Sequence, residues 1–318
     1  MAGARLTLWG PFRLGRPAVI VHGGAGGWRG VSSLEEVEAA VQEAVRRGVV
    51  GRDARNMLVE AIVALEDSGV LNAGIGSVLT IDGRVEMDAG LMMDDLTAGG
   101  VGAVTYPRNP IRLAEWIAFN TPHVLLVASA ADRLAERLGL ERHPGPSSRA
   151  LERWRRVMEK LQAGAEDLPR RYVELYRLYY GDTVGAVVLD KEGRMAAGAS
   201  TGGVAFKHPG RVGDSPVPGA GFYVERGVGG CSATGIGETI LIGRPCLYAV
   251  ELLKAGVPVE EAARAAVARH TRLFGGDNLG LILLDAEGNA AAAMNTEAMP
   301  VAAAGSEHEL ATVMKRQS

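Results

Sequence analysis

The amino-acid sequence predicts an α+β protein in which antiparallel sheets stack on one another and are flanked by helices. Three observations carry that expectation. Strand signals come in hairpin-connected pairs and helix signals come consecutively, so the two do not alternate one for one as they do in a doubly wound parallel sheet. The 43 glycines among 318 residues cluster without a period. That excludes collagen-like and low-complexity chains and marks loops where backbone must approach backbone or ligand closely. Finally, 47% apolar and 22% charged residues are the balance of a globular chain with a substantial core.

Ala18-Val19-Ile20-Val21 reads as a buried strand running into the glycine loop His22-Gly23-Gly24-Ala25-Gly26-Gly27-Trp28. Residues ahead of it read as a tail or an over-long reading frame. Ser32 and Ser33 offer N-caps to a helix whose apolar positions are Leu34, Val37, Ala40, Val41, Ala44 and Val45, and a second helix follows from Asp53 to Asp67. Ile75 to Thr80 and Arg84 to Asp88 flank Asp82-Gly83 as a hairpin, and Val101 to Val104 offers another strand. A helix is predicted from Pro110 to Phe119, a strand from His123 to Val127 and a helix from Ala130 to Leu138. The segment 141–182, Arg-rich and with Trp154, Tyr172, Tyr176, Tyr179 and Tyr180, reads as a flexible linker with helical content. Thr183 to Asp190 and Arg194 to Ser200 form a strand pair around Lys191-Glu192-Gly193, and a long glycine loop runs to about Gly237. Helices from Ile240 to Ala255 and Val259 to His270 precede a last strand pair, Gly280 to Asp285 and Ala290 to Asn295.

Composition removes several function classes. With 34 Lys and Arg against 37 Asp and Glu the net charge is −3, so polyanions are not a default partner and nucleic acid is not expected. No long apolar run suggests a membrane span, and Arg5, Arg13 and Arg16 interrupt any signal peptide. Cys231 and Cys246 fit neither a disulfide framework nor a zinc spacing, so a cytoplasmic location is expected. The loop after the first strand lacks a dinucleotide fingerprint, because Arg29 replaces its last glycine. The six histidines form no close pair. Asp82, Glu86, Asp88, Asp94 and Asp95 match no cation loop and read as turn or surface carboxylates. Gly198-Ala199-Ser200-Thr201-Gly202 fits G-x-S-x-G, but the loop that follows cannot launch the helix a nucleophile elbow requires.

The specific signal is a set of motifs in order. His-Gly-Gly-Ala-Gly (22–26) and Leu-Asn-Ala-Gly-Ile-Gly-Ser (71–77) precede Gly-Asp-Thr-Val-Gly (181–185) and Ser-Thr-Gly-Gly (200–203). Gly-Arg-Val-Gly-Asp-Ser-Pro (210–216) and Ala-Thr-Gly-Ile-Gly-Glu (233–238) follow. From Ala18 to about Ala304 the chain resembles the plant-type asparaginase family, which includes isoaspartyl aminopeptidases and glycosylasparaginases.

The resemblance implies an N-terminal-nucleophile hydrolase with a four-layer αββα sandwich, a single structural domain cut by itself between Asp182 and Thr183 into 1–182 and 183–318. The freed α-amino group of Thr183, with a reference pKa of about 7.7–8.0, would serve as base to its own hydroxyl. By the same resemblance Thr201 hydrogen-bonds near the nucleophile, and Thr234 with Gly235 forms the oxyanion hole. Arg211 and Asp214, with Gly237, grip the substrate's α-carboxylate and α-amino group, and the guanidinium fork and carboxylate suit those partners. Asn72 supports the nucleophile from behind. Backbone carbonyls of Leu65, Glu66, Ser68, Leu71, Ala73 and Ile75 would hold a structural sodium, with no organic cofactor. The implied reaction splits L-asparagine and β-aspartyl dipeptides through an acyl-Thr183 ester, in a protein whose αβ units pair. Asp182 looks more like the glycosylasparaginase branch, where His-Asp-Thr is usual and this chain has Gly181-Asp182-Thr183. Glycosylasparaginase activity and an uncleaved amino-acid-binding protein are the alternatives.

Overall fold

The computed structural model describes residues 6–26, 33–162 and 183–315. Two sheets and eight helices are found among them, a mixed α/β protein. The larger sheet has eight strands in the order β13-β12-β2-β6-β7-β3-β4-β5. These are β2 (Ala18–His22), β3 (Met87–Met93), β4 (Ala98–Val104), β5 (Leu125–Val127), β6 (Val184–Leu189), β7 (Met195–Thr201), β12 (Ala298–Gly305) and β13 (Glu309–Lys315). The smaller sheet orders β1 (Thr7–Arg13), β11 (Asn289–Met294), β10 (Leu279–Asp285), β9 (Gly229–Gly235) and β8 (Phe222–Glu225). Every strand pairing is antiparallel except β4 with β5, in keeping with the hairpin-rich sequence.

Helices α1 (Leu34–Val49), α2 (Ala54–Asp67) and α3 (Pro110–Asn120) pack on the larger sheet, and α4 (Ala128–Arg137) lies beside β4. Ser33 caps α1 by accepting the Glu36 N–H at 3.1 Å, and Asp53 caps α2 through the Asn56 N–H at 2.8 Å, so both starts are set by side-chain acceptors. On the smaller sheet lie α7 (Pro245–Lys254) and α8 (Val259–Phe274), while α6 (Gly237–Gly243) follows directly from β9. The strands alternate as the pleat requires: in β2, Val19 and Val21 face the helices, whereas Ala18 and Ile20 face the other sheet. Because both faces are covered, the central strands read as unbroken apolar runs.

Several expectations need correction. The glycines are not confined to loops: a Cβ on Gly90 in β3 would lie 2.7 Å from the Phe222 ring, so a bare backbone there lets the sheets close. The stretch read as one glycine loop to Gly237 therefore contains β8 and β9. The helix expected from Ile240 to Ala255 is two, because Pro245 cannot continue α6 and Arg244 takes a left-handed conformation at φ 47°. Around Asp82-Gly83 the turn exists, but its flanks meet only in a Leu79–Val85 bridge, and the strand proper starts at Met87. The N-terminal residues read as a tail form β1 and pair with β11. Strands β12 and β13 had no prediction. Within the segment read as a linker, α5 (Ser148–Gln162) is anchored by the Trp154 indole, which donates to the Thr80 carbonyl at 3.1 Å. Tyr172, Tyr176, Tyr179 and Tyr180 lie outside the described residues, as do Gly27, Trp28, Arg29, Gly181 and Asp182. No helix among the described residues is long and apolar enough to cross a membrane.

Candidate active site

Thr183 opens β6 at the centre of the larger sheet and is buried. The pairing of Val184 with Ser200 continues in register to set Thr183 opposite Thr201 at the end of β7. The Thr183 N–H donates to Thr234 Oγ1 at 3.2 Å, and the Ala25 N–H donates to the same oxygen at 3.1 Å. Thr234 thus accepts from both and keeps its own hydroxyl proton for donation, as an oxyanion donor must. Beside it, Gly235 has φ 143° and runs close against the Asn278 backbone, so the end of β9 admits no side chain there. Ser215 Oγ lies 3.5 Å from Thr183 Oγ1.

Behind Thr183, His22 Nδ1 lies 3.1 Å from the Thr183 carbonyl and Nε2 lies 3.0 Å from Ser232 Oγ. Burial pulls the imidazole down to about 3, with the Thr183 carbonyl working against that shift, so the ring is neutral. With its one proton on Nδ1, His22 donates to the Thr183 carbonyl, while the single Ser232 hydroxyl proton is shared between Nε2 and the Gly198 carbonyl, 3.1 Å from Oγ. The main chain of Thr183 is held by this fixed dipole.

Arg211 and Asp214 converge on the bare face of Gly237 at the start of α6. A Cβ there would lie 2.5 Å from Arg211 Nη2 and 2.9 Å from Asp214 Oδ1. Arg211 Nε donates to Glu238 Oε1 at 2.9 Å. Asp214 is buried with Oδ2 unpartnered among the described residues, and desolvation pushes its carboxyl up to about 7 against the pull of the Arg211 guanidinium. A buried acceptor next to a cation, facing a space that only glycine leaves open, suits a zwitterion.

Asn72 holds the loop after Thr201: its Nδ2 donates to the Gly203 carbonyl at 2.7 Å, its Oδ1 accepts the Val78 N–H at 2.9 Å, and its carbonyl accepts the Gly202 N–H at 3.0 Å. Thr201 Oγ1 accepts the Gly203 N–H at 2.9 Å. Ser200, in the G-x-S-x-G match, donates to Glu66 Oε1 at 2.6 Å in the core, and no helix follows it, so the elbow is absent. No cluster of three or more His, Cys, Asp or Glu side chains able to hold a metal is found among the described residues.

The carboxylates read as turn or surface groups are corrected in part: Asp88 and Asp94 are buried. Arg194 pairs with Asp94 at 2.7 Å. Sequence reasoning also gave no role to His22, Ser215 or Ser232. Ser215 had a signal, since it follows Asp214 in the same motif, whereas His22 and Ser232 stand 210 positions apart and only folding joins them.

The family model described as asparaginase matches residues 15–314. The chain is similar to a plant-type L-asparaginase of Pyrobaculum calidifontis, 44% identical over 88% of this chain and 94% of that protein. It is similar to an isoaspartyl peptidase of Escherichia coli, 35% identical over 90% and 92% of the two chains. An isoaspartyl peptidase/L-asparaginase of Mus musculus is 37% identical over 95% and 93%.

Proposed function

Since the chain belongs to the asparaginase family, we propose that it hydrolyses the side-chain amide of L-asparagine and the isopeptide bond of β-aspartyl dipeptides, with Thr183 as nucleophile. The observation that carries this reading is Thr183 itself, whose main-chain nitrogen meets Thr234 and whose hydroxyl meets Ser215, the residue that follows Asp214. Self-cleavage between Asp182 and Thr183 would free the α-amino group, which would then take the hydroxyl proton as Thr183 attacks the amide carbonyl. Thr234 and the Gly235 backbone would donate to the oxyanion, and Thr201 would steady the nucleophile. Ammonia or an amine leaves with the proton that the amine carries. Water, activated by the same group, then releases aspartate from the ester.

Arg211 and Asp214 would hold the α-carboxylate and α-ammonium of the aspartyl moiety, with Gly237 giving them room. The finer architecture is read as the four-layer αββα sandwich of N-terminal-nucleophile hydrolases, one domain shared by pieces 1–182 and 183–318, with the αβ units pairing. A structural sodium is proposed on the carbonyls of Leu65, Glu66, Ser68, Leu71, Ala73 and Ile75. Within this loop the Glu66 backbone packs against Gly74, where a Cβ would stand 2.5 Å from the Glu66 carbonyl oxygen, so only glycine lets the two ends come together. Hard oxygen donors suit that ion, which would add charge and rigidity and no chemistry. Asp182 beside Thr183 favours a second reading, glycosylasparaginase. Ammonia and aspartate release from asparagine, β-aspartyl dipeptides and glycosylated asparagine tests both. Activity on the first two that vanishes in Thr183→Ala supports the main reading; activity on glycosylated asparagine alone replaces it with the second.

A further inference from the structure

Three charged side chains behind the Arg211–Asp214 pair take no part in this chemistry, yet two of them are buried. Asp88 is fully enclosed in β3, whose other members are apolar or glycine. A carboxylate survives there only if hydrogen bonds and a counter-charge replace its water. Asp88 has both. Its Oδ1 accepts the Ala103 N–H at 2.8 Å and its Oδ2 accepts the Gly213 N–H at 3.1 Å. Lys207, 1% exposed, donates from Nζ to the Glu86 carbonyl at 2.8 Å and lies against the bare face of Gly203, where a Cβ would come within 2.7 Å of Nζ. Burial lowers the Lys207 ammonium, while the Asp88 and Glu86 carboxylates favour its charge.

Glu86, two residues before Asp88, accepts the Gly210 N–H on Oε2 at 2.8 Å. Two carboxylates therefore hold the backbone on both sides of Arg211. Between them Val212 packs onto β4 at Gly102, where a Cβ would lie 2.8 Å from Val212 Cγ2. One anchor would let the loop pivot, whereas two anchors three residues apart fix its rotation as well. Acceptors that carry charge strengthen these bonds.

Resting on the reading of Arg211 and Asp214 as the substrate clamp, we infer that Glu86 and Asp88 are positioning residues that hold the 210–214 loop and thereby set specificity for a substrate with a free α-amino acid end. They touch no substrate. Their effect passes through Arg211 and Asp214, whose placement orients the distant reacting carbonyl.

The test compares asparagine with its α-carboxamide analogue in the wild type, Arg211→Ala, Asp88→Asn, Glu86→Gln and Glu86→Ala. Asp88→Asn keeps the shape but leaves one of two N–H groups facing an amide NH₂, so KM for asparagine should rise about tenfold, with a smaller change in kcat. Preference over the analogue should shrink, and adding Arg211→Ala to Asp88→Asn should cost little beyond Arg211→Ala alone. Glu86→Gln keeps an acceptor and should stay near wild type, while Glu86→Ala should behave as Asp88→Asn. The Glu86 pair decides the matter should Asp88→Asn fail to fold. If Arg211→Ala loses the preference while Asp88→Asn and Glu86→Ala keep it, the inference is overturned and the clamp stands. If the wild type shows no preference, the clamp itself fails, and this inference with it.

Discussion

Among the described residues Asp214 Oδ2 has no hydrogen-bond partner, and desolvation outweighs the Arg211 guanidinium in setting its proton affinity. The anion holds a substrate ammonium far more strongly than the neutral acid does, so kcat/KM for asparagine should climb as pH rises through about 7. The same shift acts on stability. The folded pKa lies above the ordinary carboxylate value, so Asp214 contributes stability that is fully present below about 4. That contribution is lost as pH rises through about 7. Melting of the empty, uncut Thr183→Ala protein should show it: adding Asp214→Asn lowers Tm most near pH 5 and least near pH 8, and a difference independent of pH contradicts the burial argument. Arg211→Lys should raise KM for asparagine by roughly tenfold, and Arg211→Ala by more, because an ammonium keeps the charge and loses the fork. Thr183, Thr201, Arg211, Asp214, Thr234 and Gly237 were visible as candidates because each sits in a short glycine-flanked motif. His22, Ser232 and Lys207 were not, since their roles come from contacts between distant segments, and a lone His or Lys in sequence has no signature of burial.

At the scale of elements, capped helices were the easiest to read. Ser33 and Asp53 mark their starts in the sequence as they do in the fold. Strands whose glycines exist for sheet packing were the hardest, because Gly229, Gly230 and Gly235 look like a loop until β8 and β10 lie on either side. β1 was missed for another reason: its Gly10 and Pro11 read as breakers, and an edge strand tolerates them where its ladder is interrupted between Trp9 and Phe12. Removing residues 1–13 would uncover β11 and take away the Trp9–Phe12 ring pair, whose centroids are 4.6 Å apart. Tm should drop by roughly 5 °C or more, and the alanine-rich edge should promote association. A truncated protein with wild-type melting would show that β1 is dispensable.

For the whole molecule, the proposed cut divides the chain but not the fold. The larger sheet interleaves β2, β3, β4 and β5 from residues before 183 with β6, β7, β12 and β13 from residues after it, and β6 lies between β2 and β7. Separating the pieces requires unpairing the middle of that sheet and exposing the core shared by Ile20, Val187, Ala197 and Phe222. The fragments should therefore co-purify and melt in one transition. Thr183 would gain its base only by this cut, so the claim that it is a self-generated nucleophile rests on the bond between Asp182 and Thr183. Intact-mass analysis of purified protein during prolonged incubation, run beside asparagine turnover, tests it most directly. Fragments of 182 and 136 residues should appear, activity should rise as they accumulate, and the Thr183→Ala chain should stay whole and inert. A wild-type chain that stays uncut while fully active would contradict that claim.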